Sequence, residues 1–120
     1  MDKTIRIDDK EVKFRATART PRLYRALTMR DLIKDINLLT KHFKQVKDEN
    51  DPTESLTTED LTIFENTAFV MAKHANPDIQ EKNADEWLDT FDMFSIWEIL
   101  PQILELWRLN NLQTSESKKK

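Results

Sequence analysis

Few residues in this chain could do chemistry, and their spacing works against it. There are two histidines, His42 and His74, and no cysteine. A histidine base needs a nucleophile or an acid within reach, and a helical metal site needs ligands one turn apart. Neither histidine stands in an H-E-x-x-H or E-x-x-H arrangement, and Glu105 has no histidine near it in sequence. The acidic pairs Glu59-Asp60 and Asp85-Glu86 fall where helices are expected to begin, and the helix dipole explains acids there. Asp48-Glu49-Asn50-Asp51 lacks the ligand spacing and turn glycine of a calcium loop. Glycine, usually about 7% of residues, is absent from all 120 positions. The glycine-dependent phosphate loops are therefore excluded. The residues predict no catalytic group, no cofactor and no metal site. An enzyme is expected only if the fold brings His42 or His74 beside a carboxylate in a pocket. Arg19, Arg22 and Arg25, grouped about a helix start, have the chemistry to meet phosphate or carboxylate, on a partner or on the chain's own acidic half.

Binding is better provided for. All three tryptophans, Trp87, Trp97 and Trp107, lie in residues 84–112 with Phe91 and Phe94. Aromatics bury large areas, so this stretch is expected to supply much of a core or an interface. Its last helix carries apolar side chains round more than one face. Trp97, Leu100, Ile103, Leu104 and Trp107 are the candidate partner-binding residues, and the same five are equally candidates for the core. Trp87, Leu88 and Phe91 are expected as core anchors.

The elements that must hold these residues follow from periodicity. Ile5, Ile7, Val12 and Phe14 alternate with charged residues, the pattern of a half-buried strand pair. A hairpin is predicted at 4–8 and 11–16, turning at Asp8-Asp9-Lys10 because aspartate tolerates tight turns. Thr20-Pro21 is a helix start. Met29, Leu32, Ile36, Leu39, Phe43 and Val46 recur at helical spacing, which predicts one long basic helix over 21–47. Residues 48–58 read as a polar linker around Pro52. Leu61, Phe64, Ala68, Met71 and Ala75 predict a second helix from Thr57 or Thr58 to Asn76-Pro77, with Asn76 as a left-handed cap. Ala68, Ala72 and Ala75 would admit a close helical neighbour. A short helix follows at 85–91. The last runs from 96 to 110, opened by Ser95 and Glu98 as a capping box and kinked at Pro101. The fold class is mainly α: about four helices with an N-terminal β-hairpin, as a single domain over 1–112 and a disordered tail over 113–120.

Charge divides the chain. Residues 1–47 hold 13 Lys/Arg and 6 Asp/Glu, a net of +7; residues 48–120 hold 6 and 16, a net of −10. Either the halves pack and neutralise one another, or copies associate head to tail, basic face to acidic. A nucleic-acid-binding regulator using the basic helix 21–47 is the alternative reading, opposed by the net charge of −3. No apolar run approaches the roughly 18 residues of a membrane span, and residues 1–10 carry no secretory apolar segment.

Several pieces, taken in order, resemble one family. K-F-R-A-T (13–17), T-P-R-L-Y-R (20–25) and R-D-L-I-K-D (30–35) are similar to the opening of tail assembly chaperones from long-tailed siphophages and prophages of Gram-positive bacteria. I-F-E-N-T-A-F-V-M-A-K (63–73), D-E-W-L-D-T-F (85–91) and M-F-S-I-W-E-I-L-P-Q-I-L-E-L-W (93–107) continue the likeness. The resemblance implies a non-enzymatic protein of the host cell cytoplasm. It would bind the tape measure protein, keep that long helical chain soluble, and be displaced as the tail tube polymerises. It also implies a longer product of the same gene made by translational frameshift; Lys118-Lys119-Lys120 is compatible with an A-rich slippery stretch. The charge asymmetry would let copies of the chain self-associate along such a client, acidic face to basic face.

Overall fold

The computed structural model describes residues 1–48 and 56–118, with side chains over 1–46 and 56–112. The chain is mainly helical behind an antiparallel hairpin, as the periodicity predicts. Strands β1 (Asp2–Ile7) and β2 (Lys10–Arg15) pair with Ile5 opposite Val12 and Ile7 opposite Lys10. The two-residue turn has Asp8 at φ 54° and Asp9 at φ 62°. Positive φ at both positions is what a tight hairpin turn requires, and aspartate supplies it without glycine. Ile5, Ile7 and Phe14 are buried, so one face of the hairpin belongs to the core.

The predicted helix over 21–47 is two helices, α1 (Thr20–Thr28) and α2 (Leu32–Asp48). Met29 sits between them with φ 61°, its N–H bonded to the Arg25 carbonyl, and its side chain is 82% exposed. Asp31 then starts α2: its carboxylate accepts the Ile33 N–H at 2.9 Å. An N-cap aspartate satisfies donors that a helix start leaves open. The break lets both helices lie on α3 (Thr58–Ala75), the element most of the fold surrounds. Residues 67–72 of α3 are all buried, as in a helix covered on every side. Its closest backbone neighbour is strand β2 rather than a helix, followed by α1 and α2.

A capping box opens α3. Thr57 Oγ1 accepts from the Asp60 N–H, and the Asp60 carboxylate accepts from the Thr57 N–H, both at 3.0 Å. At the other end Asn76 has φ −135°, so α3 stops in extended backbone before Pro77 rather than in the expected left-handed cap.

Helix α4 (Ala84–Leu88) is short and capped by the Asn83 side chain. It places Trp87, 3% exposed, in a ring cluster. Phe14, Phe69, Phe91 and Phe94 surround Trp87 with centroids 5.2–6.3 Å away, and three of these contacts are edge-on. Such geometries suit the aromatic quadrupole. Leu88 and Phe91, the other expected anchors, are partly buried against the core. The hairpin tip is tied to the same region: Asp8 accepts the Asp92 N–H at 2.9 Å, and Lys10 Nζ donates to the Thr90 carbonyl at 2.7 Å.

Helix α5 (Ile96–Lys118) begins as expected and runs beyond Asn110, so its backbone overlaps the stretch expected to be a disordered tail. Pro101 lies within it and has no N–H to offer the Trp97 carbonyl. The helix packs along β1. The linker expected at 48–58 falls mostly outside the described residues.

Candidate functional site

The five candidate residues of α5 part company. Leu100 is fully buried, Ile103 is 1% exposed and Trp107 7%. They pack in the core, one of the two places expected for them. Leu104 is half-buried, and Trp97 is 54% exposed. The division follows from helical geometry: Ile99, Leu100, Ile103, Leu106 and Trp107 make the inward stripe, and Trp97 points off it.

Trp97 does not stand alone. Its ring lies 5.9 Å from that of Phe43, tilted by 33°. Phe43 ends one wall of a cleft of about 450 Å³ between α2 and α5. Ile36 and Phe43 from α2, with Pro101, Leu104 and the edge of Trp107 from α5, form its apolar lining. Asn37, Thr40, Lys44, Glu105, Arg108 and Asn111 form a polar border. Spacing of 4, 3 and 4 puts Ile33, Asn37, Thr40 and Lys44 on one stripe of α2. Ile33 is 53% exposed and extends the apolar strip past one end of the cleft as Trp97 does at the other. From Ile33 to Lys44 this wall is roughly 16 Å long, three turns of helix. Glu105 and Arg108 hold each other across one turn at 2.7 and 3.0 Å.

The basic group stays on the surface. Arg19, Arg22 and Arg25 are exposed on α1 and its start. Their side chains make no hydrogen bond or ion pair among the described residues. With the helix broken at Met29, they no longer share a continuous face with Lys34, Lys41 and Lys44 of α2.

Both histidines find partners that the sequence did not reveal. His42 Nδ1 is 2.9 Å and 3.1 Å from the two Asp60 oxygens. A carboxylate accepts only, so Nδ1 carries the hydrogen. Asp60 is 1% exposed and already accepts the Thr57 N–H, so the pair pins α2 to the start of α3. No Ser or Thr hydroxyl is bonded to His42 among the described residues, and the pair lacks a nucleophile. His74 Nε2 lies 3.1 Å from Thr17 Oγ1. Burial, with the charges of Arg15 and Arg19 added, holds the His74 ring below its ordinary pKa. Among the described residues no group of acids and histidines is placed to hold a metal.

The sequence also missed a buried ionic centre. Asp35, 5% exposed, accepts the Tyr24 hydroxyl at 2.7 Å and two Arg30 N–H groups at 2.8 and 2.9 Å. Arg30, in the turn between α1 and α2, also reaches Glu59 at 3.0 Å. The Arg30 guanidinium holds the Asp35 carboxyl below its ordinary range against the opposing effect of burial. Burial and the same carboxylate push the Tyr24 phenol far above its own. This centre locks the α1–α2 bend onto α3. The R-D-L-I-K-D and T-P-R-L-Y-R pieces contain its members, but only the bend brings them together.

Comparison with family models, with curated proteins and with solved structures finds no match to this chain. Among the described residues no helix is long and apolar enough to cross a membrane.

Proposed function

We propose that the protein is a tail assembly chaperone of the kind its sequence resembles. It would bind the tape measure protein in the host cytoplasm and keep it soluble until tube polymerisation. The cleft between α2 and α5 carries the reading: an apolar strip about two turns long, bordered by polar groups and ended by an exposed tryptophan whose ring lies against Phe43. A helix laid in a groove presents anchors at i, i+3, i+4 and i+7, and a strip of this length receives two or three such anchors. Binding must be reversible, because the client is handed to the tube. A shallow groove with one or two aromatic anchors suits that better than a deep site.

The mechanism needs no reacting group. The client's apolar stripe is shielded while the groove is occupied, and polymerising tube subunits displace the chaperone by burying the same stripe more completely. Charge would align successive copies, and a longer frameshift product would carry the same groove.

Co-expression with the tape measure protein tests the proposal. The two are expected to co-purify, and Trp97→Ala or Leu104→Glu to weaken the association while the variant remains folded. A client that fails to co-purify and is no more soluble than when expressed alone would overturn it.

A further inference from the structure

A second cleft, of about 320 Å³, lies between α1, α3 and the connection after α3. Its floor is apolar: Leu23 and Leu27 from α1 face Phe69 and Val70 from α3. Its border is cationic. Arg19, Lys73, His74 and Lys82 line it, and none of its lining residues is acidic. The volume is at the small end of the roughly 300–1,000 Å³ typical of ligand sites.

The border groups are largely uncommitted. The Arg19 and Lys82 side chains have no hydrogen-bond or ion-pair partner among the described residues. Lys73 Nζ donates to the Glu81 carbonyl at 3.0 Å and lies 5.6 Å from the centre of the Phe69 ring, a cation held over the apolar floor. His74 uses one ring nitrogen on Thr17. Three fixed cations and an imidazole around an apolar hollow favour a ligand with one negative head and an apolar body. A neutral apolar molecule would leave the cations uncompensated, and a bare anion would leave the floor wet.

We infer that this cleft is a binding site for a small amphipathic carboxylate, with its chain on Leu23, Leu27, Phe69 and Val70 and its head among Arg19, Lys73, His74 and Lys82. The site is separate from the α2–α5 groove and stands or falls independently of the client reading.

Octanoate is the test ligand, titrated into the full chain and followed by NMR. Saturable shifts at the Leu23, Leu27 and Val70 methyls are expected, with acetate and octanol each weaker by about tenfold or more. The His74 ring is the second readout. The charges of Arg15 in β2, Arg19 just before α1, Asp2 in β1 and the amino-terminal group act on it, and Lys73 and Lys82 line the same cleft; a bound carboxylate there raises its pKa. The double change Arg19→Glu with Lys82→Glu alters two exposed, unpartnered side chains, so the fold is retained. It is expected to weaken octanoate by about tenfold. Absence of saturable shifts, equal binding of octanol or acetate, shifts confined to the α2–α5 groove, or a charge-reversed variant that binds as well would each overturn the inference.

Discussion

Trp97 and Leu100 lie about one turn apart on α5 and end in opposite environments, 54% exposed and fully buried. Substitution separates their roles. Leu100→Ala removes a core side chain and is expected to cost about 2–5 kcal/mol in urea unfolding. Trp97→Ala is expected to change stability by less than about 1 kcal/mol and to weaken client binding by about 2 kcal/mol, roughly thirtyfold in Kd. Equal loss of stability by both would place Trp97 in the core after all. Asp35 gives a pH-dependent case. Its carboxyl is held below its ordinary value in the folded chain. Its contribution is therefore fully present above the unfolded value of about 4 and is lost as pH falls through the lower folded value. Asp35→Asn is expected to cost about 2 kcal/mol at pH 7. The gap between the variant and the parent should shrink steadily below pH 4 in parallel unfolding curves.

At Met29 helical spacing and helical backbone part. Its spacing from Leu32 continues a helical stripe, so the sequence predicts one helix over 21–47. Periodicity reports which residues could share a face, not whether the backbone between them stays helical. Asp31 was the available signal, an N-cap residue directly before Leu32, and Arg30 with Asp35 fixes the turn that results. A left-handed conformation costs a non-glycine residue about 1–2 kcal/mol, and glycine loses about 0.5–1 kcal/mol of that advantage in the unfolded chain. Met29→Gly is therefore expected to stabilise by about 0.5 kcal/mol, and Met29→Ile to destabilise, in thermal melts. The hairpin was legible because alternation and Asp8-Asp9 agree on one structure. The centrality of α3 was not: tryptophans drew weight to 84–112, while the apolar run at 67–72 is made of smaller side chains. Its outcome, a helix covered by β2, α1 and α2, depends on partners far away in sequence. The groove was half legible. Helical spacing alone could not say which face of α5 the core would take, and the α2 wall was hidden in the expected long helix.

At the scale of the molecule, the opposed charges of the two halves are only lightly joined among the described residues. Among the described residues, Arg30–Glu59 and the His42–Asp60 contact are the ionic links between them. The remaining ion pairs fall within one half or the other. Most charged side chains among the described residues thus have no ionic partner in the other half, which is the condition that charge-driven association between copies needs. Light scattering is expected to show mass above the monomer at low salt and the monomer at high salt, because screening shortens the reach of surface charge. The monomer at both ionic strengths would contradict charge-driven assembly.

The unequal burial of the tryptophans also makes the chain its own optical sensor. Trp87 and Trp107 are 3% and 7% exposed, whereas Trp97 is half in water. A solvated indole emits at longer wavelength, so excitation at the red edge selects Trp97. The phenol of Tyr24 donates to a carboxylate and adds little light. A helix settling into the α2–α5 groove would dry Trp97 and move its emission to the blue, while a ligand in the cationic cleft would leave that colour unchanged. Occupancy of the α2–α5 groove can thus be watched in the unlabelled protein, and a blue shift tells it apart from binding in the cationic cleft.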